Sequence, residues 1–237
     1  MDFKIIHLEE TDSTNQWLAN HRSDDALAVV AEYQTAGKGC GENRWESERG
    51  KNLPFSLLIH PEEIPASRQF LISEAVSVAL CDTLSAYLPQ EDWLSIKWPN
   101  DIYHGDRKLC GMLIENRLQG STIIDSIIGI GINVNQETFL SDAPNPVSLR
   151  QILGREVDRE ALLNDFLKQL GRAFESEITP LMYRKLLYRQ DGYYAYEDAK
   201  GPFKAKLLNV LLDGRLVLLD EQGTARMYAF KEVTFII

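Results

Sequence analysis

The sequence predicts an α+β protein: a larger domain of mixed β-sheet with helices packed on it, residues 1–187, and a small C-terminal β module, residues 188–237. Three observations carry this. Residues 67–88 set Ile72, Val76, Ala79, Leu80, Thr83, Leu84 and Tyr87 at spacings of three and four, the stripe of an amphipathic helix. Apolar runs at 27–33, 53–59, 94–98, 108–117 and 121–134 are bounded by polar and turn-forming residues, as strands are. From Gly192 onward helical periodicity gives way to three short apolar runs, 206–212, 215–219 and 225–230, separated by Asp213-Gly214 and Gln222-Gly223. Asp-Gly between apolar runs is a strong hairpin signal.

In chain order, residues 11–21 open with cap-type residues and carry Trp17 and Leu18, which predicts a short helix. The strand at 27–33 runs into the longest polar stretch, 35–52, which holds Gly37, Gly39, Gly41 and Gly50; loops of that length are often functional. Strand 53–59 and helix 67–88 follow, then strand 94–98 and a turn at Pro99-Asn100-Asp101. The runs 108–117 and 121–134 join at Gln119-Gly120 as a hairpin. A second amphipathic helix spans 158–174, with Asp158 as its N-cap and Val157 stapling onto Leu162.

Composition excludes several classes. With 25 basic and 35 acidic residues the net charge is −10, the wrong sign for a protein driven onto nucleic acid by the phosphate backbone. A local basic pocket stays open. Cys40, Cys81 and Cys110 are odd in number and contain no C-x-x-C pair, which reads as free thiols of a reducing compartment. The histidines are scattered, with no zinc spacing. No signal-peptide core and no membrane-length apolar run is present. The expectation is a soluble cytoplasmic protein with neither membrane nor nucleic acid as partner.

Chemistry concentrates in five segments. Lys97-Trp98-Pro99-Asn100-Asp101 and Arg107-Lys108-Leu109-Cys110-Gly111 place three basic side chains and a carboxylate at the ends of apolar strands, a site for a phosphate or carboxylate. A lysine head group there is costly unless paired; snorkelling, or pairing with Asp101 or Asp106, is the plainer account. The loop from Gln34 to Trp45 offers closely spaced glycines and Lys38, able to bring backbone N–H groups to an anion, or simply a surface loop. It is not a P-loop, because Gly39 rather than Ser or Thr follows Lys38. Ser13-Thr14-Asn15 is either an N-cap or a donor and acceptor set facing a pocket. Gly129-Ile130-Gly131-Ile132-Asn133 puts glycines inside a strand, where they mark a bulge or the close approach of a ligand or another chain segment. Asn133 offers both a donor and an acceptor.

In order along the chain, these segments resemble the biotin protein ligases. The resemblance covers Asp12-Ser13-Thr14-Asn15, the run from Ala31 to Gly39, Trp45-Glu46-Ser47, the run from Lys97 to Asp101, the run from Arg107 to Glu115, and the run from Gly129 to Asn133. The β-rich tail is similar to the small SH3-like C-terminal module of that family. The resemblance implies ATP-dependent formation of biotinyl-5′-AMP and transfer of biotin to one lysine of the carrier domain of a biotin-dependent carboxylase. It implies biotin contacts from Ser13, Thr14, Asn15, Gln34, Gly37, Lys38, Gly39, Cys40, Lys108 and Gly111. On the nucleotide side it implies Lys38, Trp45, Lys97, Asn100 and Asn133, with Lys108, Lys97 and Asp101 as catalytic groups and Asp101 also a ligand for the Mg2+ carried by ATP. Two features depart from the family pattern. Lys38 stands where arginine is common, and Cys40 and Gly41 stand where basic or long polar residues are usual. Lysine cannot reproduce a bidentate arginine contact. No DNA-binding segment precedes the motifs, so repressor activity is not expected, and a homodimer is left open. A lipoate or octanoate ligase and a non-catalytic biotin-binding protein are the competing readings.

Overall fold

Seven strands build the larger sheet: β1 (Lys4–Leu8), β2 (Leu27–Ala31), β3 (Leu53–Ile59), β4 (Leu94–Lys97), β5 (Asp101–His104), β6 (Arg107–Gln119) and β7 (Thr122–Ile132). The computed structural model describes residues 1–237 except 40, 42, 43, 62, 92 and 141–144. The spatial order is β1-β2-β3-β7-β6-β5-β4; β1 and β2 are parallel and every other pair is antiparallel, so the sheet is mixed as expected. The helices are α1 (Thr14–Asn20), α2 (Phe70–Ser85), α3 (Leu149–Leu153), α4 (Arg159–Glu175) and α5 (Thr179–Lys185).

Strand alternation sends side chains to two cores. Ala28, Val30, Phe55, Leu57, Ile128 and Ile130 join Leu162 and Phe166 of α4 and Tyr183 of α5 in the larger one. Leu27, Val29, Leu58 and Ile127 face the other way, onto Leu18 of α1. Helix α2 is a correction to the stripe expected for residues 67–88. Ala75, Ser77, Val78 and Cys81 are buried as well, because α2 is enclosed by α4, α5 and strands β4 and β5. The cap of α4 is as expected: the Asp158 carboxylate accepts from the Glu160 and Ala161 N–H groups at 2.9 and 3.1 Å. Five elements that precede the second sheet went unread: β1, β5, the short helices α3 and α5, and the single turn of 3₁₀ helix at Ala66–Arg68. They are short, and the charged ends of β5 read as a continued turn.

The C-terminal residues form a second, antiparallel sheet of five strands: β8 (Tyr194–Asp198), β9 (Gly201–Val210), β10 (Leu216–Asp220), β11 (Ala225–Tyr228) and β12 (Val233–Phe235), in the order β11-β10-β9-β8-β12. The three expected strands are present. β8 and β12 were missed because one carries Glu197 and Asp198 and the other has three residues. At the predicted Asp-Gly turn Gly214 takes a φ of 87°, the left-handed region open to glycine. The Gly214 carbonyl accepts from Trp98 Nε1 at 2.8 Å, and a Cβ at Gly214 would meet the Phe70 ring. The turn thereby seats the second sheet against the first. The chain between the two sheets covers the β4 edge, where Ile96 N–H donates to the Leu186 carbonyl and Tyr188 N–H to the Ile96 carbonyl. Among the described residues no helix is long and apolar enough to cross a membrane.

Candidate active site

Register aligns five residues across the sheet. Lys97 of β4 lies opposite Asp101 of β5, which lies opposite Gly111 of β6, then Gly131 of β7, then Pro54 of β3. Directly opposed residues of antiparallel strands point to the same face. The row therefore carries an ammonium and a carboxylate at one end and, at Gly111 and Gly131, a trough with no side chains. Lys108 should point to the other face by simple alternation. A bulge on β6 prevents this: Ile102 pairs with Cys110 and Tyr103 with Lys108, which leaves Leu109 as the extra residue. Leu109 and Cys110 both enter the core, and Lys108 returns to the face of Gly111. Its Nζ sits 2.8 Å from Asp101 Oδ1 and 5.7 Å from the Trp45 ring centroid.

Lys97 Nζ lies 5.3 Å from the Tyr103 ring and 5.2 Å from the Phe235 ring. Burial lowers its pKa below the ordinary lysine value of 10.5; Asp101 opposes the shift, and Lys108 and Arg189 reinforce it. Arg107, the third base of the sequence motif, is exposed and does not line the cavity, because the bulge falls after it. Cys81 and Cys110 are free and buried, and burial raises both thiol pKa values. Cys40 lies outside the described residues.

The N-terminal end of α1 supplies the polar wall. Asn15 Nδ2 donates to Glu115 Oε2 at 2.7 Å, which turns Asn15 Oδ1 toward Ser56 Oγ, 2.6 Å away. That oxygen can only accept, so the Ser56 proton belongs to it. Thr14 Oγ1, also 2.6 Å from Ser56 Oγ, then keeps its proton for Ser56 or for Gln34 Oε1 at 3.1 Å. Gln34 Oε1 accepts from Thr14 N–H as well, at 2.8 Å, leaving the Gln34 Nε2 donors for other partners. Ser13 is the N-cap by position, yet its side chain makes no capping bond. Neither Ser56 nor Glu115 was singled out in the sequence; their partners are 41 and 100 residues away.

Gly129 sits under this network, and a Cβ there would overlap the Asn15 amide. Gly129→Ala is expected to push Asn15 off both Ser56 and Glu115 and to destabilise the protein by about 2 kcal/mol, as overpacking does. That corresponds to a fall in Tm of roughly 4–8 °C for a chain of this size. Calorimetric melting checks it, and an unchanged Tm would show that Asn15 can yield without cost.

The glycine loop closes on Trp45. The Trp45 N–H donates to the Gly37 carbonyl at 2.9 Å, and a Cβ on Gly37 would stand 2.7 Å from the Trp45 carbonyl. Gly37 is therefore needed for this backbone approach, and it is not among the residues that line the cavity. Lys38 and Gly39 do line it. The Trp45 indole rests on Gly131, where no Cβ would fit, and beside Gly111. Trp45 Nε1 is buried with no hydrogen-bond partner among the described residues. Asn100 and Asn133 also line the cavity, but each amide is anchored to the backbone: Asn100 Nδ2 donates to the Met112 carbonyl at 2.5 Å and Asn133 Nδ2 to the Lys108 carbonyl at 3.4 Å.

These groups share one cavity of ≈ 780 Å³, within the range of about 300–1,000 Å³ typical of small-molecule sites. Ser13, Thr14, Asn15, Gln34, Lys97 and Lys108 all reach it, with Phe55, Leu113 and Ile130 as apolar lining. The C-terminal sheet closes one side through Phe230, Lys231, Val233, Thr234 and Phe235, a contribution with no local sequence signal. The Asp101 carboxylate, expected to meet the Mg2+ carried by ATP, is engaged by Lys108, and among the described residues no three His, Cys, Asp or Glu side chains come together.

The model of the biotin/lipoate A/B protein ligase family matches residues 8–133. A biotin--[acetyl-CoA-carboxylase] ligase of Paracoccus denitrificans is 32% identical over 174 residues, 70% of each chain. The bifunctional ligase/repressor BirA of Bacillus subtilis is 29% identical over 234 residues, 94% of this chain and 70% of that protein. The solved biotin protein ligase of Aquifex aeolicus in complex with biotin and ATP superposes with a TM-score of 0.79 at 25% identity, covering 97% of both chains. The two-sheet architecture, the shared cavity and these matches agree: the chain belongs to the biotin/lipoate A/B protein ligase family.

Proposed function

We propose that this protein is a biotin–protein ligase, which joins biotin to ATP as biotinyl-5′-AMP with release of pyrophosphate, and then transfers biotin to a lysine of a carboxylase carrier domain. One observation carries the reading. The cations Lys97 and Lys108 line the same cavity as the amide and hydroxyl wall of Ser13, Thr14 and Gln34, with the Trp45 indole bedded on Gly131 and beside Gly111. A ligand with a polar ring at one end and a carboxylate at the other fits this division, and the carboxylate end falls among the cations.

In the first step the biotin carboxylate attacks the α-phosphorus of ATP, so two anions must meet. Fixed cations stabilise the charge that develops, and positioning supplies most of the remainder. Lys108 is assigned to the oxygens shared by carboxylate and α-phosphate, with Lys97 and Lys38 beside it. Mg2+ arrives with the ATP phosphates as part of the substrate. The Trp45 indole, which lines the cavity over Gly131, suits the adenylate, whereas Asn100 and Asn133 shape its walls through the backbone they hold. In the second step a lysine amine attacks the mixed anhydride and displaces AMP. Asp101 is assigned to orient that amine or take up its proton, being the carboxylate held beside Lys108.

Lys97 provides a proton-linked signature. Bound phosphate restores the ammonium that burial disfavours, so the Lys97 pKa rises on binding. Between the depressed free value and the bound one, ATP binding takes up a proton, and affinity falls as pH rises through that window. Calorimetry in buffers of different ionisation enthalpy just below pH 10.5 should record this uptake in the native protein and lose it in Lys97→Met. Equal uptake in both removes Lys97 from the phosphate site.

The test of the function is pyrophosphate exchange into ATP, first with biotin and then with lipoate. Exchange with biotin supports the proposal; exchange with lipoate alone assigns the other branch of the family, and exchange with neither leaves a binding protein. We also take residues 188–237 to form a small SH3-like barrel docked on a catalytic domain of residues 1–187, a reading supported by five antiparallel strands and the Trp98–Gly214 seat. A cytoplasmic location, no nucleic-acid partner and pairing of two copies at a sheet edge belong to the same proposal, the net charge of −10 favouring the second.

A further inference from the structure

The turn between β11 and β12 holds a lysine where the backbone favours glycine. Lys231 has a φ of 70°, in the left-handed region that a long side chain rarely adopts. Its side chain crosses from the C-terminal sheet to the glycine loop, and its Nζ fills the space that a side chain on Gly41 would need. Gly41 is itself left-handed, with a φ of 71°. The two positions are complementary: the loop omits a side chain where the second sheet supplies an ammonium.

Lys231 has no ion pair or hydrogen bond among the described residues, whereas Lys108 is paired with Asp101. The neighbouring acid forms no ion pair with it: Glu232 Oε2 accepts from the Ala229 N–H at 2.7 Å and so closes its own turn. Lys231 nevertheless lines the same cavity as Lys38, Lys97 and Lys108. A cation held in an unfavourable backbone conformation, extended over the glycine loop and unpaired among the described residues, is placed to meet an anion in that cavity.

We propose that Lys231 binds the polyphosphate of the nucleotide, so that the C-terminal sheet contributes a charge to the site as well as a wall. This rests on the ligase reading for its ligand class, a nucleoside triphosphate. Lys108 and Lys97 attend the reacting carboxylate and α-phosphate; Lys231 attends the phosphates that leave as pyrophosphate.

Calorimetric titration of the biotin-saturated full chain with α,β-methylene-ATP, and separately with adenosine, tests it in the native protein and in Lys231→Gln, Lys231→Gly and Lys231→Arg. The glycine variant relieves the backbone while deleting the charge, which guards against a folding defect. The glutamine and glycine variants should each weaken the analogue about tenfold, the size of one partly screened charge-assisted contact, and flatten its salt dependence. Adenosine should bind within twofold of the native protein, and the arginine variant should restore most of the affinity. Unchanged affinity for the analogue in both charge-deleting variants overturns the proposal, as does equal weakening of adenosine, or no binding of the analogue by the native protein. The ligase reading fails separately: absent biotin-dependent exchange in a native protein that still binds the analogue, and loses it in Lys231→Gln, refutes the reaction and upholds the cation.

Discussion

Lys108→Ala should lower the rate of adenylate formation by about three orders of magnitude while leaving the fold intact. The magnitude follows from the work assigned to this side chain. Removing one preorganised group that stabilises developing charge costs about 10²–10³ in rate. A second loss adds to it here. Lys108 Nζ is 2.8 Å from Asp101 Oδ1, and deleting it leaves a carboxylate facing the place where a carboxylate and a phosphate must meet. At 4 Å and an effective dielectric constant of 20, two like charges repel by about 4 kcal/mol, so even a screened fraction of that matters against about 1.4 kcal/mol per tenfold in rate. The double variant Lys108→Ala/Asp101→Asn should therefore be faster in the first step than Lys108→Ala alone, although still far below the native rate. Single-turnover measurement of biotinyl-AMP formation checks both. A near-native rate for Lys108→Ala would remove it from the mechanism, and a double variant no faster than the single would show that Asp101 does not face the reacting anions. Stability should change little, because the pair is partly solvated and such pairs contribute about 0–1 kcal/mol.

How far such a site can be read from sequence depends on the range of the interactions that build it. Register within one hairpin is local. The run from Gly129 to Asn133 and the run from Arg107 to Gly111 are opposed because Gln119-Gly120 turns the chain between them, and their glycines signalled a close approach before any partner was known. The cap of α4 at Asp158 is local too. The bulge at Leu109 is not, since it depends on pairing with β5, and it alone decides that Lys108 rather than Arg107 faces the cavity. The same holds for Glu115 with Asn15 and for Lys231 with Gly41: each joins segments that nothing in the sequence relates. The wall from Phe230 to Phe235 was invisible for a further reason. Its residues are those of an ordinary short strand, and they reach the cavity only because Gly214 and Trp98 fix how the second sheet docks.

Gly131→Val should raise the KM for ATP by roughly two orders of magnitude, about 2.7 kcal/mol at 1.36 kcal/mol per decade, with a much smaller effect on biotin. Gly131 is the bed of the Trp45 indole, and a side chain there overlaps the ring. Gly129, two residues earlier on the same face, carries the Asn15 network instead, so the polar wall is left in place. Expelling Trp45 breaks its contact with Gly111 and draws on the backbone link from Trp45 N–H to the Gly37 carbonyl, which holds the loop bearing Lys38 and Gly39. Nucleotide binding then loses an aromatic surface and the fixed position of the loop together. The mechanism is separable from simple damage to β7. If the clash is with Trp45, the ATP defects of Gly131→Val and Trp45→Ala overlap, and the double variant should be scarcely worse than the poorer single one, the non-additivity expected of residues in contact. Additive defects would mean that Gly131 matters through the strand and not through the indole above it. A Gly131→Val enzyme with native KM for ATP would show that Trp45 can leave its bed without consequence, and would withdraw it from the nucleotide site.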